Sequence, residues 1–168
     1  MIFKLNKYKN MMTNKLTIYL FLALVLGSFS VQAQAYENAI GLRGGFHSGL
    51  TFKHFISDNK ALEAIVDSRW HGFEVVGLLE FQNEITDVEG ISWYYGFGAH
   101  IGFYDDKYVG WGESTTYMVI GPDGILGIEY AIPSIPIAIS LDWKPSFNLI
   151  GYSHFYGDEG AFSIRYTF

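Results

Sequence analysis

The sequence predicts an all-β chain, an eight-stranded antiparallel up-and-down transmembrane β-barrel after a cleaved signal peptide. Three observations predict it. From Ala39 to Phe168 large apolar residues alternate with small or polar ones, the period-two pattern of strands whose two faces differ. In the last four strands one parity carries no charge while the other gathers acids and bases, which suits lipid outside and a polar lumen inside. Turn signals cut this alternation into eight segments, with uniformly short even connections and the two longest loops, 105–116 and 151–159, both among the odd ones.

The export segment is expected at residues 1–35. Lys4, Lys7, Lys9 and Lys15 precede an apolar run, Leu16 to Val31, that ends in Gln-Ala-Gln-Ala35, and no acid occurs in this stretch. A basic start, an apolar core and an Ala-x-Ala ending describe a secretory signal peptide, with cleavage after Ala35 or Ala33. The core is short for the ~20 apolar residues of a spanning helix. Met11 and Met12 are alternative starts to Met1. Of 11 basic residues four lie in this segment, so residues 36–168 hold 17 acids against 7 bases and form one domain. So acidic an exported domain is a poor partner for nucleic acid. With no cysteine there is neither a disulfide framework nor a thiolate site.

The first strand, Ala39 to His47, sets Ile40, Leu42, Gly44 and Phe46 against Arg43 and His47, and Ser48-Gly49 is its expected turn. Leu50 to Ile56 sets Leu50, Phe52 and Ile56 against Thr51, Lys53 and Phe55, and Ser57-Asp-Asn-Lys60 is a polar turn. Ala61 to Trp70 divides into Leu62, Ala64, Val66 and Trp70 against Glu63, Asp67 and Arg69. After a turn at His71-Gly72, Phe73, Val75, Leu79 and Phe81 oppose Glu74 and Glu80. Thr86 to Gly90 turns into Ile91 to Tyr104, with Trp93, Tyr95, Phe97, Ala99, Ile101 and Phe103 on one face. Gly96, Gly98 and Gly102 on the other leave room for Tyr94, His100 and Tyr104 in a crowded interior. A loop at 105–116 leads to Tyr117 to Tyr130, where Met118, Ile120, Leu126, Ile128 and Tyr130 oppose Asp123 and Glu129. Pro133-Ser-Ile-Pro136 turns into the seventh strand, with Ile137, Ile139, Leu141, Trp143, Phe147 and Leu149 against Ser140, Asp142, Lys144, Ser146 and Asn148.

Centring that hairpin on Ser134-Ile135 pairs Leu126 with Trp143 and Glu129 with Ser140, so register and face agree. Pro122 and Pro145 lie inside these two strands and near each other, so either one bulge absorbs both or the sixth strand is interrupted. After a loop at 151–159 comes Gly160 to Phe168, with Phe162, Ile164, Tyr166 and Phe168 on one face and Ala161, Ser163, Arg165 and Thr167 on the other. It must pair with the first strand, because an open sheet edge is not tolerated in hydrocarbon.

This final strand, alternating and ending in Phe168, resembles the closing strand of Gram-negative outer-membrane β-barrels, which their assembly machinery recognises. Over residues 36–168 topology and face pattern resemble the small OmpA-like, OmpX-like and PorT-like barrels. The resemblance implies an outer-membrane protein, exported through the Sec route and monomeric, with outer-membrane lipid and the assembly machinery as partners. It also implies loops 105–116 and 151–159 on the outer side, and Trp93, Tyr130, Tyr166 and Phe168 in an interfacial girdle.

The inward parity collects Arg43, Lys53, Arg69, Lys144 and Arg165 with Glu63, Asp67, Glu74, Glu80, Asp123, Glu129 and Asp142. Eight strands leave an interior that side chains just fill, so these residues are expected to form a plug of ion pairs, not an aqueous channel. Enzymatic activity is not expected. His47-Ser48 and Ser153-His154 are adjacent pairs that point opposite ways in a strand, with no orienting third group. The five histidines, His47, His54, His71, His100 and His154, show no metal-ligand spacing. No catalytic, cofactor or metal residue is assigned. The expected role is structural, adhesive or surface-binding, with a ligand at loops 105–116 and 151–159. A lipid-modifying outer-membrane enzyme of the lipid A deacylase or acyltransferase type, and a soluble periplasmic lipocalin-like cup, stand as alternatives.

Overall fold

A computed structural model describes residues 36–69, 72–85, 88–105, 116–151 and 153–168. The expected signal peptide at 1–35, the body of the 105–116 loop, Trp70, His71, Thr86, Asp87 and Tyr152 lie outside the described residues.

Alternation of the kind read above leaves each strand one apolar and one polar face, and the chain uses both by closing on itself. Its strands are β1 (Asn38–Gly45), β2 (Ser48–Ser57), β3 (Lys60–Arg69), β4 (Gly72–Glu84), β5 (Ile91–Asp105), β6 (Thr116–Ala131), β7 (Ile137–Trp143), β8 (Ser146–Phe147), β9 (Phe155–Tyr156) and β10 (Gly160–Thr167). Sequential antiparallel pairs run from β1 to β7, then β7 pairs β10 and β10 pairs β1. That is a closed eight-walled barrel, and closure pairs Ala39 with Thr167 and Leu42 with Ile164. The hairpin between β6 and β7 has the expected register, Leu126 opposite Trp143 and Glu129 opposite Ser140.

Three sequence expectations are corrected. The first turn lies at Phe46-His47, and Ser48-Gly49 begins β2, because Leu42 pairs with Leu50 and Arg43 with Gly49. The interruption near the prolines falls on the seventh wall, not the sixth: β6 runs unbroken through Pro122, and β7 stops before Lys144-Pro145 and resumes as β8. Pro145 accepts the Gly124 N–H at 2.9 Å but has no N–H to return, so that rung carries half its bonds. Lastly, segment 151–159 contains β9, which pairs Phe147 with Phe155 and extends the wall above the break.

The faces point as the parity requires. Leu42, Phe97, Leu141 and Ile164 stand outward, Leu42 67% and Phe97 60% exposed, while Lys53 and Arg165 are 0% exposed inside. Trp93, Tyr95, Phe81, Tyr130, Tyr166 and Phe168 gather outward at the end that carries the short turns. There Trp93 stacks on Tyr95 at 5.6 Å and Tyr166 on Phe168 at 6.0 Å. A soluble cup would invert this pattern, with its apolar face buried, so the observed polarity disfavours the lipocalin-like alternative.

Candidate functional site

Inward side chains from adjacent walls converge in the lumen, and all the predicted inward charges whose side chains are described are buried there. Only the Arg69 side chain lies outside the described ones. The structure resolves the predicted plug into two clusters with a bridge between them.

Nearer the short turns, Lys53 contacts Glu80 at 2.9 Å and Glu129 at 3.6 Å, and Arg165 contacts Glu63 at 2.5 Å and Glu129 at 3.2 Å. Arg165 also donates to Ser140 at 2.8 Å, and Thr51 donates to Glu63. Gln82, on the β4 extension that sequence reasoning left unassigned, accepts from Lys53 and donates to Ser92 and Glu129. From below, the Tyr36 hydroxyl donates to Glu129. Burial, then the Glu129 carboxylate, hold this phenol well above its ordinary range. The bridge is Arg43, bidentate on Asp142 at 2.7 and 2.5 Å, with the Tyr94 hydroxyl donating to Asp142 at 3.1 Å. Lys53 sits 4.4 Å from the Tyr94 ring centroid. Ile65, Val76, Leu78 and Ile125 pack with Tyr94 and fill the remaining interior.

Nearer the longer loops, Lys144 contacts Asp123 at 3.0 Å, Glu159 at 3.3 Å and Glu74 at 3.6 Å. His100 bonds Asp123 at 2.8 Å and Asn148 at 2.9 Å. His47 bonds Asp67 at 2.9 Å through Nδ1 and Glu159 at 3.2 Å through Nε2. Tyr104 donates to Glu74 at 3.1 Å. Burial alone would lower His47, but its bonds to Asp67 and Glu159 push it up to about 9. Burial would raise Glu159, and its bonds to His47 and Lys144 hold it down to about 2.

Glu159 therefore belongs to the interior, although the sequence placed it in an outer loop. Its displacement follows from the break at Pro145, which lets the segment beside β9 fold back until Glu159 accepts the Lys144 N–H at 2.8 Å. The sequence also gave no sign that His47 and His100 meet carboxylates from other strands. Such meetings depend on which strands face each other across the lumen.

The predicted glycine spaces are partly confirmed. A Cβ at Gly102 would meet the Tyr104 ring and Val119 at 2.9 Å, as expected. The room beside Tyr94 comes instead from Gly127 on β6, where a Cβ would stand 2.6 Å from the Tyr94 ring and 2.7 Å from Asp142. Of the Ser–His pairs, His47 turns inward while Ser48 is exposed, and Ser153 and His154 are both exposed. At the long-loop rim Phe155 is exposed, the His154 and Tyr156 rings meet edge-on at 4.7 Å, and Trp143 donates to the Gly157 carbonyl at 2.7 Å.

No protein-family model matches the chain. No curated protein matches it. Among solved structures, the crystal structure of the N-terminal β-barrel domain of Pseudomonas aeruginosa OprF is similar, with a TM-score of 0.64 at 12% identity. The likeness covers 80% of this chain and 100% of that domain. It shows that this chain has the fold of a small OmpA-like eight-stranded barrel.

Proposed function

We propose that this chain is an integral outer-membrane barrel, inserted as a monomer, whose work is structural or adhesive. One observation carries the reading: a predominantly apolar outer face encloses a lumen of buried, mutually paired charges. In water that outer face would be a large unsatisfied apolar surface. In lipid it is the favourable one, and the paired lumen groups are shielded from it. The barrel fold shared with the OprF domain supports the same placement.

The short-turn end then lies in the periplasm and the long-loop end faces outward. Phe155, Tyr156 and their loop are the described part of the surface available to an external ligand. In this reading β10 is the strand that the assembly machinery engages. Catalysis is not part of the proposal, since neither Ser–His pair forms a nucleophile and base in contact.

Gel mobility in SDS, with and without boiling, tests the proposal on protein extracted from membranes. A folded form that changes mobility only on heating, recovered only with detergent, is expected. Recovery of the protein in a detergent-free periplasmic extract would refute the membrane placement. Lipid A mass spectra of cells with and without the gene are expected to be identical, and altered acylation would replace the structural role with an enzymatic one.

A further inference from the structure

His47, Asp67 and Glu74 bring one imidazole and two carboxylates together beneath the long-loop rim, all three buried, with ligand atoms within 4.8 Å of one another. The fold sets this convergence directly. Asp67 and Glu74 are register partners on β3 and β4 and both point inward. His47 closes the neighbouring turn from β1 to β2, one residue before Ser48 pairs with Ser68.

A second observation separates this triad from an ordinary ion-pair network. Asp67 Oδ2 and Glu74 Oε1 are buried and accept no hydrogen bond. A buried carboxylate oxygen without a donor is costly, so such a pair of oxygens is suited to a bound cation. Lys144 stands 3.6 Å from Glu74 Oε1, beyond hydrogen-bond distance, and reaches Asp123 and Glu159 as well. The short-turn cluster also contains carboxylate oxygens that accept no hydrogen bond, on Glu63 and Glu80, but the Lys53 ammonium stands 2.9 Å from Glu80, Arg165 lies against Glu63, and among the described side chains no imidazole joins them.

We propose that the lumen holds a divalent cation of the zinc class, bound by His47 and the carboxylates of Asp67 and Glu74. One imidazole and two carboxylates are ligands for such an ion, with a fourth position left to water. Bond lengths of about 2.0–2.2 Å need ligand atoms about 3.4 Å apart, so shifts of about 1 Å close the triad. The ion replaces the proton on His47 Nδ1, which leaves as the bond forms. The partners a metal site needs behind its ligands are already present. Glu159 accepts from His47 Nε2, and Tyr104 donates to Glu74 Oε2. In the neighbouring triad of Glu74, His100 and Asp123 the one open oxygen is the shared Glu74 Oε1, because Lys144 and His100 occupy both Asp123 oxygens and His100 holds Asn148 on its other side.

Calorimetric titration of the detergent-folded protein with zinc chloride tests this. The wild type is expected to take up one equivalent. His47→Gln and Asp67→Asn should each weaken binding more than about tenfold, whereas Glu80→Gln in the other cluster and His154→Gln on the rim should leave it unchanged. No uptake by the wild type, full affinity in both ligand variants, or a loss with His154→Gln would overturn the site. If the ligand variants do not fold, cobalt loaded into the wild type decides. Intense visible bands of a low-coordinate nitrogen and oxygen set support the site, and the spectrum of hydrated cobalt overturns it.

Discussion

Arg165 and Ser163 share one strand face, are both fully buried, and stand in opposite electrostatic situations. Arg165 bonds Glu63, Glu129, Ser140 and Thr51, so Arg165→Met leaves the buried Glu63 carboxylate without its cation and takes one of two from Glu129. Removing one partner of a buried ion pair costs about 3–5 kcal/mol, because the remaining charge stays desolvated. Urea unfolding of the detergent-folded variant should show a loss of that size. Ser163 places a hydroxyl in the same lumen with no partner. Ser163→Ala removes an unsatisfied group at little cost in volume and should raise stability by about 1 kcal/mol in the same assay. Of these two environments only the charge of Arg165 was legible in the sequence. Parity put both side chains inside, but partner identity comes from β7, β3 and β6, far away in the chain.

At the scale of the strand, period two decides nearly everything. A one-residue slip of β10 against β1 would turn Arg165 outward and Ile164 inward, and that penalty fixes the observed pairing of Leu42 with Ile164 and of Ile164 with Ile139. Ile164 is half exposed on the outer face at the middle of its strand. Ile164→Arg should therefore cost about 2–4 kcal/mol when folding is measured in lipid vesicles. A negligible cost would mean that this face does not meet hydrocarbon. The seventh wall departs from this rule. Two prolines in facing strands announced an irregularity, but which strand breaks depended on which rung lost its return bond. Pro145 lost it opposite Gly124, and Pro122 is accommodated within β6.

For the whole molecule, closure with eight walls leaves an interior about as wide as its side chains. Arg43, Tyr94 and Asp142 span the middle, Arg165 and Lys53 fill one side, and Lys144 fills the other. In planar bilayers the inserted protein should give no conductance steps of porin size. Steps of that size would show that the ion-pair plug opens as a unit.

The sequence by itself determined the strand count of the barrel, the parity that points inward along the walls and the register of the hairpin at Pro133–Pro136. These depend on local alternation and on turns, both written within a few residues of the chain. Only the tertiary structure decided which charges pair, that Glu159 folds into the lumen, that Gly127 makes room for Tyr94 and that His47 meets Asp67 and Glu74. Those outcomes depend on the stagger of strands around a closed wall, which sets heights across the lumen and leaves no mark in the spacing of residues along one strand.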